Sequence, residues 1–390
     1  MRPFLTIMVC LGSVGVAVPA TAPGPAAANN AVACGLYGRL AETPGNLFCS
    51  PTSVVTALSM ALAGARGRTA QEMAAVLHGP VDGHAAAGAF QRQLTAGGLE
   101  FHLANRLWVP RDLALAGPFQ EICRQHFAAD VGTVDFQGDR DGARRQINAW
   151  VGEQTRGKIP ALLDAASLPR EVALVLTNAV HFLGRWMDPF AREATADAPF
   201  RLADGAEIAA AAMHQTGEFA YAEHARVQAL RLPYEGGRQV CEIYLPRERD
   251  GLPALEAKLT ARWLDAWTDR WRPHTVAVAL PRFAFAAKFE LGPTLAAMGM
   301  PTAFSVDADF SGITTAARLA ITNVVHEAAV AVDEAGTEAA AATAVVMARC
   351  GATPASPPVV FMADHPFLFL IRDTETGAVL FLGRLVNPTT

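Results

Sequence analysis

Apolar residues recur along this chain at two periods, and the period changes partway along. In the first half the spacing is helical. Ser50-Pro51 places a capping residue ahead of a proline at the first helical position, followed by the apolar run Val54–Leu62. Thr69-Ala-Gln-Glu72 reads as a capping box opening a second helix toward Leu77. Asp141–Thr155 is amphipathic, presents Ile147, Trp150 and Val151 on one side, and is stopped by Gly157 and Pro160. Short apolar or alternating segments of strand length then take over: Val172–Leu183, Val240–Leu245, Val276–Leu280, Ala320–Val332, Phe367–Ile371 and Val379–Val386. Helical pieces at Pro253–Trp267 and Leu291–Met298 lie between them. Regular alternation of strand and helix is absent, so the pattern predicts an α+β fold with a large, mostly antiparallel sheet system. From about Ala28 onward there is no Pro/Gly/Ser linker, charge block or repeat, which predicts one domain over residues 29–390.

Composition narrows this further. The 390 residues are 51% hydrophobic and 18% charged, enough apolar material for a sizeable core. A formal net charge of −5 leaves no basic excess for general nucleic-acid binding. All basic residues but Lys158, Lys258 and Lys288 are arginine, a bias of the kind GC-rich coding produces. Cysteines at 10, 34, 49, 123, 241 and 350 have no metal-ligand spacing and are too scattered for a disulfide framework. At the N-terminus, Arg2 precedes a soft apolar run, Phe4–Val18, with small-residue cleavage options at Ala22 or Ala28. Residues 1–28 therefore read as an export leader to the periplasm or outside, the alternative being a disordered leader on a cytoplasmic protein. Gly12, Ser13 and Gly15 interrupt the run, and nothing else suggests a membrane span.

No motif for enzymatic chemistry is present: no GxSxG, HExxH, Walker loop or GxGxxG. His326-Glu327 are strand neighbours pointing to opposite faces, so they cannot share a site. The unusual segment is Val324–Ala352, a strand that runs into Asp-Glu-Ala-Gly-Thr-Glu and then four alanines. It suits an alanine-rich helix, a disordered connector, or a surface loop that can itself become a strand. The third reading draws on the alternation of Thr337, Ala339, Ala341, Thr343, Val345 and Met347 with Glu338, Ala340, Ala342 and Ala344.

Glu334-Ala-Gly-Thr-Glu-Ala-Ala-Ala-Ala-Thr343 closely resembles the reactive-loop hinge of the serpins. Further blocks are similar to that family and fall in its order: Asn46-Leu-Phe-Cys-Ser-Pro-Thr-Ser53, Asn148–Ile159, Leu176–Phe190, Leu280-Pro-Arg-Phe283, Asp309–Thr314 and Ala363–Phe369. The resemblance covers the chain from about Ala31 to its end. It implies three β-sheets with eight to nine surrounding helices, an exposed reactive-centre loop at about 334–360, and a monomer that inhibits proteases as a suicide substrate. The target would be a serine protease, with cysteine proteases as a further class. The resemblance implies a hinge at Glu334, Gly336, Thr337, Glu338, Ala339, Ala340, Ala341 and Ala342. It also implies a conformational-control set of Ser50, Ser53, Asn178, Trp186 and His326. Counted from the hinge, the family's usual loop length implies a reactive bond at Cys350–Gly351, which suits elastase- or chymotrypsin-like pockets, and a loop one residue shorter, also seen in the family, implies Arg349–Cys350, which suits trypsin-like enzymes. No catalytic residue, metal, cofactor, nucleic acid or membrane partner is implied. Gln91–Arg106 has only Arg92 and Arg106 as permanent cations, so a heparin site is not expected. The competing class is a non-inhibitory serpin acting as binder, carrier or chaperone. The hinge favours inhibition, because Ala339–Ala342 carries no bulky, charged or proline residue.

Overall fold

The computed structural model describes residues 23–96, 100–168, 174–337 and 357–389. Among these, helices α1 (Pro25–Leu40), α2 (Pro51–Gly64), α3 (Gly67–Val76), α4 (His84–Thr95), α5 (Gly117–Phe127) and α6 (Arg140–Gln154) fall in the first half, and α7 (Leu252–Glu256), α8 (Ala261–Asp265) and α9 (Gly292–Met298) in the second. The larger sheet has the order β1 (Leu47–Cys49), β15 (Val379–Leu385), β14 (Phe367–Asp373), β8 (Gln239–Pro246), β7 (Val227–Pro233), β6 (Glu207–His224), β9 (Arg272–Pro281) and β13 (Val359–Met362), with β5 (Ala196–Arg201) also paired to β6. The smaller sheet is β10 (Phe283–Glu290), β11 (Ile321–Val332), β12 (Gly336–Thr337), β4 (Leu174–Arg185), β2 (Glu100–Pro110) and β3 (Gly132–Val134).

The three expected sheets are therefore hydrogen-bonded into two among the described residues. The cause is β6, whose 18 residues pair with β5 at one end, with β7 at the other and with β9 across the middle. One strand long enough to belong to two sheets fuses them.

Local chemistry accounts for most elements. Ser50 caps α2 by accepting a hydrogen bond from Ser53 N at 3.2 Å, with Pro51 at the first helical position. The Thr69–Glu72 capping box is not formed. α3 begins at Gly67, Thr69 lies inside it and accepts from Asp309 N, and Glu72 instead pairs with Arg68 and accepts from Thr302. Tertiary partners out-compete the local cap. The Pro253–Trp267 stretch forms two single-turn helices rather than one. β14 and β15 are buried along their full seven-residue lengths, and the charged residues they carry, Arg372, Asp373 and Arg384, are ion-paired with Glu242, Arg238 and Glu256. α1 begins at Pro25, so the expected leader boundary at 28 falls inside a helix. Asn29 and Asn30 of that helix donate to Val379 O and Gly377 O, so removing residues through Ala28 would take away its first turn. No helix among the described residues is long and apolar enough to cross a membrane.

α6 covers one face of the smaller sheet. Its Ile147 and Val151 pack with Trp108, Val175, Ala179 and Val325, and Asn148 exchanges two 2.8 Å hydrogen bonds with the backbone of Leu163. The opposite face packs against α2, which is buried at every position except Val55.

Candidate functional site: the seam between β4 and β11

β4 and β11 run parallel and pair directly from Leu174↔Ile321 to Val180↔Ala328. Beyond that point they part, and β12 lies between their ends, antiparallel to both: Thr337 registers with Val332 of β11 and with Gly184 of β4, and Gly336 with Arg185. A parallel pair leaves room for a strand of the opposite direction, and the first two residues of such a strand are in place.

The reversal from β11 into β12 is tied down residue by residue. Asp333 Oδ1 accepts from Ala335 N at 2.8 Å and from Gly336 N at 3.1 Å, a turn built on one aspartate. Trp186 holds the turn from β4's side, donating its ring N–H to Asp333 O at 3.0 Å and its backbone N–H to Ala335 O at 2.9 Å. Its indole stacks on Tyr234 with centroids 4.7 Å apart, and the Tyr234 hydroxyl is 2.7 Å from Thr337 Oγ1. Burial pushes the Tyr234 phenol well above its ordinary pKa, so it stays neutral. Glu334 is 5% exposed; it accepts from Thr195 Oγ1 at 2.7 Å and lies 3.6 Å from Arg282 Nε. Gly336 is required by space, since a Cβ there would sit 2.0 Å from Gly184 O.

Further down, a buried polar cluster crosses the seam. His326 on β11 and Asn178 on β4 are register partners and hydrogen-bond through Nδ1 and Oδ1. His326 Nε2 accepts from Ser50 N at 3.0 Å, which puts the ring proton on Nδ1, donating to Asn178. Asn178 Nδ2 donates to Ser53 Oγ at 2.7 Å and to Asn105 Oδ1 at 2.6 Å, and Ser53 Oγ donates to Asn105 Oδ1 at 2.9 Å. Ser50 Oγ donates to Leu380 O at 2.8 Å. Burial pushes the imidazole pKa of His326 down to about 4, so the ring is neutral at physiological pH. One helix, three strands of the smaller sheet and β15 of the larger one thus meet at a cluster whose His326–Asn178 bond must break if anything enters the seam.

The structure brings Ser50, Ser53, Asn178 and His326 together and places Trp186 about the turn that starts β12. Sequence reading missed Asn105, which completes the cluster, and Tyr234, which bonds Thr337. Asn105 faces Asn178 across β2–β4, a register that only the fold reveals. Tyr234 pairs with Trp186 by an isolated bridge that sequence pattern does not announce. Of the expected hinge, Glu334, Gly336 and Thr337 are described. Glu338 and Ala339–Ala342 lie outside the described residues, as do Arg349, Cys350 and Gly351. Among the described residues no three histidine, cysteine or acidic side chains converge to hold a metal.

A mixed α+β protein whose smaller sheet is closed by a parallel, partly split pair belongs to a recognisable class. Residues 27–388 match the family model of the serpins, the serine protease inhibitors. The chain is 43% identical over 360 residues to a serpin-like protein of Thermococcus kodakarensis, covering 90% of this chain and 83% of that one. It is 37% identical to the leukocyte elastase inhibitor of Homo sapiens, covering 93% and 98%. Among solved structures, uncleaved ovalbumin matches with a TM-score of 0.87 at 32% identity, covering 94% of this chain and all of that one, and human thyroxine-binding globulin with 0.86 at 28%, covering 94% and 98%. This chain belongs to the serpin family and has its fold.

Proposed function

We propose that the protein is a suicide-substrate inhibitor of proteases, with serine proteases as the first class of target. A protease attacks the loop after Thr337 as substrate and forms an acyl-enzyme. Before deacylation, the freed loop continues β12 down the seam between β4 and β11, carrying the protease with it and distorting its active site. The observation that carries this reading is β12 itself: two residues lying between the ends of β4 and β11, antiparallel to both and directed into the seam.

The sequence beyond Thr337 supports continuation. Thr337 is buried against Tyr234, and with a period of two the same face would receive Ala339, Ala341, Thr343, Val345 and Met347. None of these brings a charge into the core. Inserting about 14 residues at roughly 3.3 Å each carries the cleaved end about 45 Å. The exchange replaces one parallel pairing and the His326–Asn178 bond with two antiparallel ladders, which are slightly more stable per residue. Relatives named as elastase inhibitors agree with this role; the thyroxine-binding globulin among the neighbours shows that the fold also carries a different named activity.

The test is incubation with a panel of serine and cysteine proteases. The inhibitory reading expects a denaturant-resistant serpin–protease adduct, and a released C-terminal peptide starting at Cys350 if Arg349 precedes the cut, or at Gly351 if Cys350 does. If every protease that cuts the loop is released fully active, the chain is a non-inhibitory binder or carrier on the same fold.

A further inference from the structure

α4 packs tightly on the end of α5. A Cβ on Gly88 would lie 2.2 Å from His126 O, and Arg92 Nη1 donates to His126 O at 2.9 Å and to Gln125 O at 3.3 Å. This junction fixes two histidines. His84 is the first residue of α4, one turn before Gly88, and His126 stands in the last turn of α5; their ring centres lie 5.2 Å apart with the planes tilted by 52°. Both side chains are partly exposed, and no ring nitrogen of either hydrogen-bonds to a described residue. His326 and His365, by contrast, spend both nitrogens on the protein, on Ser50 and Asn178 and on Asp364 and Pro246.

Two imidazoles sharing one tetrahedral zinc, at about 2.0–2.1 Å from each ligating nitrogen, have ring centres roughly 5.2 Å apart, the separation seen here. We infer that His84 and His126 form a binding site for a divalent transition cation such as zinc, each giving one ring nitrogen. The ligand type selects the class of metal: imidazole suits zinc, copper and nickel, whereas calcium and magnesium take oxygen ligands. No third histidine, cysteine or acidic side chain converges on the pair among the described residues, so water fills the remaining positions. A ligating ring must give up its second proton, and burial and the neighbouring His126 lower the pKa of His84 against the opposing charge of Asp82. That same carboxylate offsets part of the cation's charge. The bound ion would bridge the helix that leads into β2 to the helix that leads into β3. The site is independent of the inhibitory reading and stands or falls separately from it.

The test is a calorimetric titration of the full-length protein with zinc chloride at neutral pH. Saturable one-to-one binding is expected, reversed by EDTA and not reproduced by magnesium chloride. Outer-shell groups at metal sites are worth about 10–100-fold in affinity, so His84→Ala and His126→Ala, each removing a ligand itself, should each weaken binding by more than about tenfold. His84→Gln keeps the bulk without the imidazole and should lose as much as His84→Ala, which separates a lost ligand from lost packing. Zinc should also raise the melting temperature of the wild type and of none of these variants. Absence of saturable binding, or equal zinc affinity in the wild type and the variants, would overturn the proposal. So would a loss confined to one of the two histidines, because the ion would then be held by a different partner.

Discussion

The centre of the larger sheet and the seam of the smaller one are equally buried but made of different material. At β8–β14–β15 the strands are antiparallel and fully paired, and the space above them is filled with rings: Phe48 stacks on Phe381 at 4.9 Å and on Phe369 at 5.6 Å, and Phe283 meets Phe369 edge-on at 5.3 Å. At β4–β11 the strands are parallel, and the contact beneath them is a hydrogen-bonded cluster of serine, asparagine and histidine. Aromatic packing has no substitute once broken. Hydrogen bonds, each worth about 0.5–1.5 kcal/mol net, can be traded for an equal number elsewhere. On the proposed mechanism, the sheet that stays closed is packed with phenyl rings beside its buried Glu242–Arg372 pair, and the one that opens is latched with polar groups whose loss an incoming strand can offset.

The sharpest way to break the contrast is at the seam's open end. Thr337→Arg would force a guanidinium into the space beside Tyr234, an unpaired buried charge costing about 3–5 kcal/mol. Loop cleavage should persist while the covalent adduct disappears from denaturing gels, turning inhibitor into substrate. An unchanged stoichiometry of inhibition would mean that strand insertion is not the working step.

Next in size is the closed sheet. Phe369→Ala should cost about 3–5 kcal/mol in denaturant unfolding, and by a similar amount in intact and loop-cleaved protein, because its ring contacts do not involve the seam. A loss confined to the intact form would erase the distinction between the regions.

Acid probes the latch. The folded pKa of His326 is about 4, against about 6.5 in an unfolded chain. The unfolded state therefore binds the extra proton first, and this contribution is whole above about pH 6.5 and is lost as pH falls toward 4. The loss is on the order of 3 kcal/mol. Urea midpoints measured across that range should fall with acidity more steeply in the wild type than in His326→Gln, which cannot titrate. Parallel slopes would show that the ring is not held neutral by the fold.

Much of this was legible beforehand, for physical reasons. The cap at Ser50, the strand around Asn178 and His326, and the hinge glycine each depend on local chemistry or on a period of two, and both can be read along a chain. The fused sheet could not be read, because nothing within β6 reveals that its two ends have different partners. The capping box at Thr69 failed because Asp309 and Thr302, both far away in sequence, claim its side chains. Asn105 and Tyr234 were missed for the same reason: their roles are set by cross-strand register and by a ring stack rather than by neighbours in sequence. α1 escaped because its alanine-rich start resembles a leader.

The central claim is that the intact fold holds free energy which a filled seam releases. Cutting a chain ordinarily leaves stability unchanged or lower, since a constraint is removed. Here a cut near Arg349 should free the segment beyond Thr337 to extend β12 between β4 and β11, adding ladder bonds on both sides at about 0.5–1.5 kcal/mol each against about 1–2 kcal/mol of ordering per residue. Calorimetry and circular dichroism on the same preparation, before and after a verified cut, test this directly. A clearly higher melting temperature for the cut protein is the expected result; an equal or lower one would contradict the account.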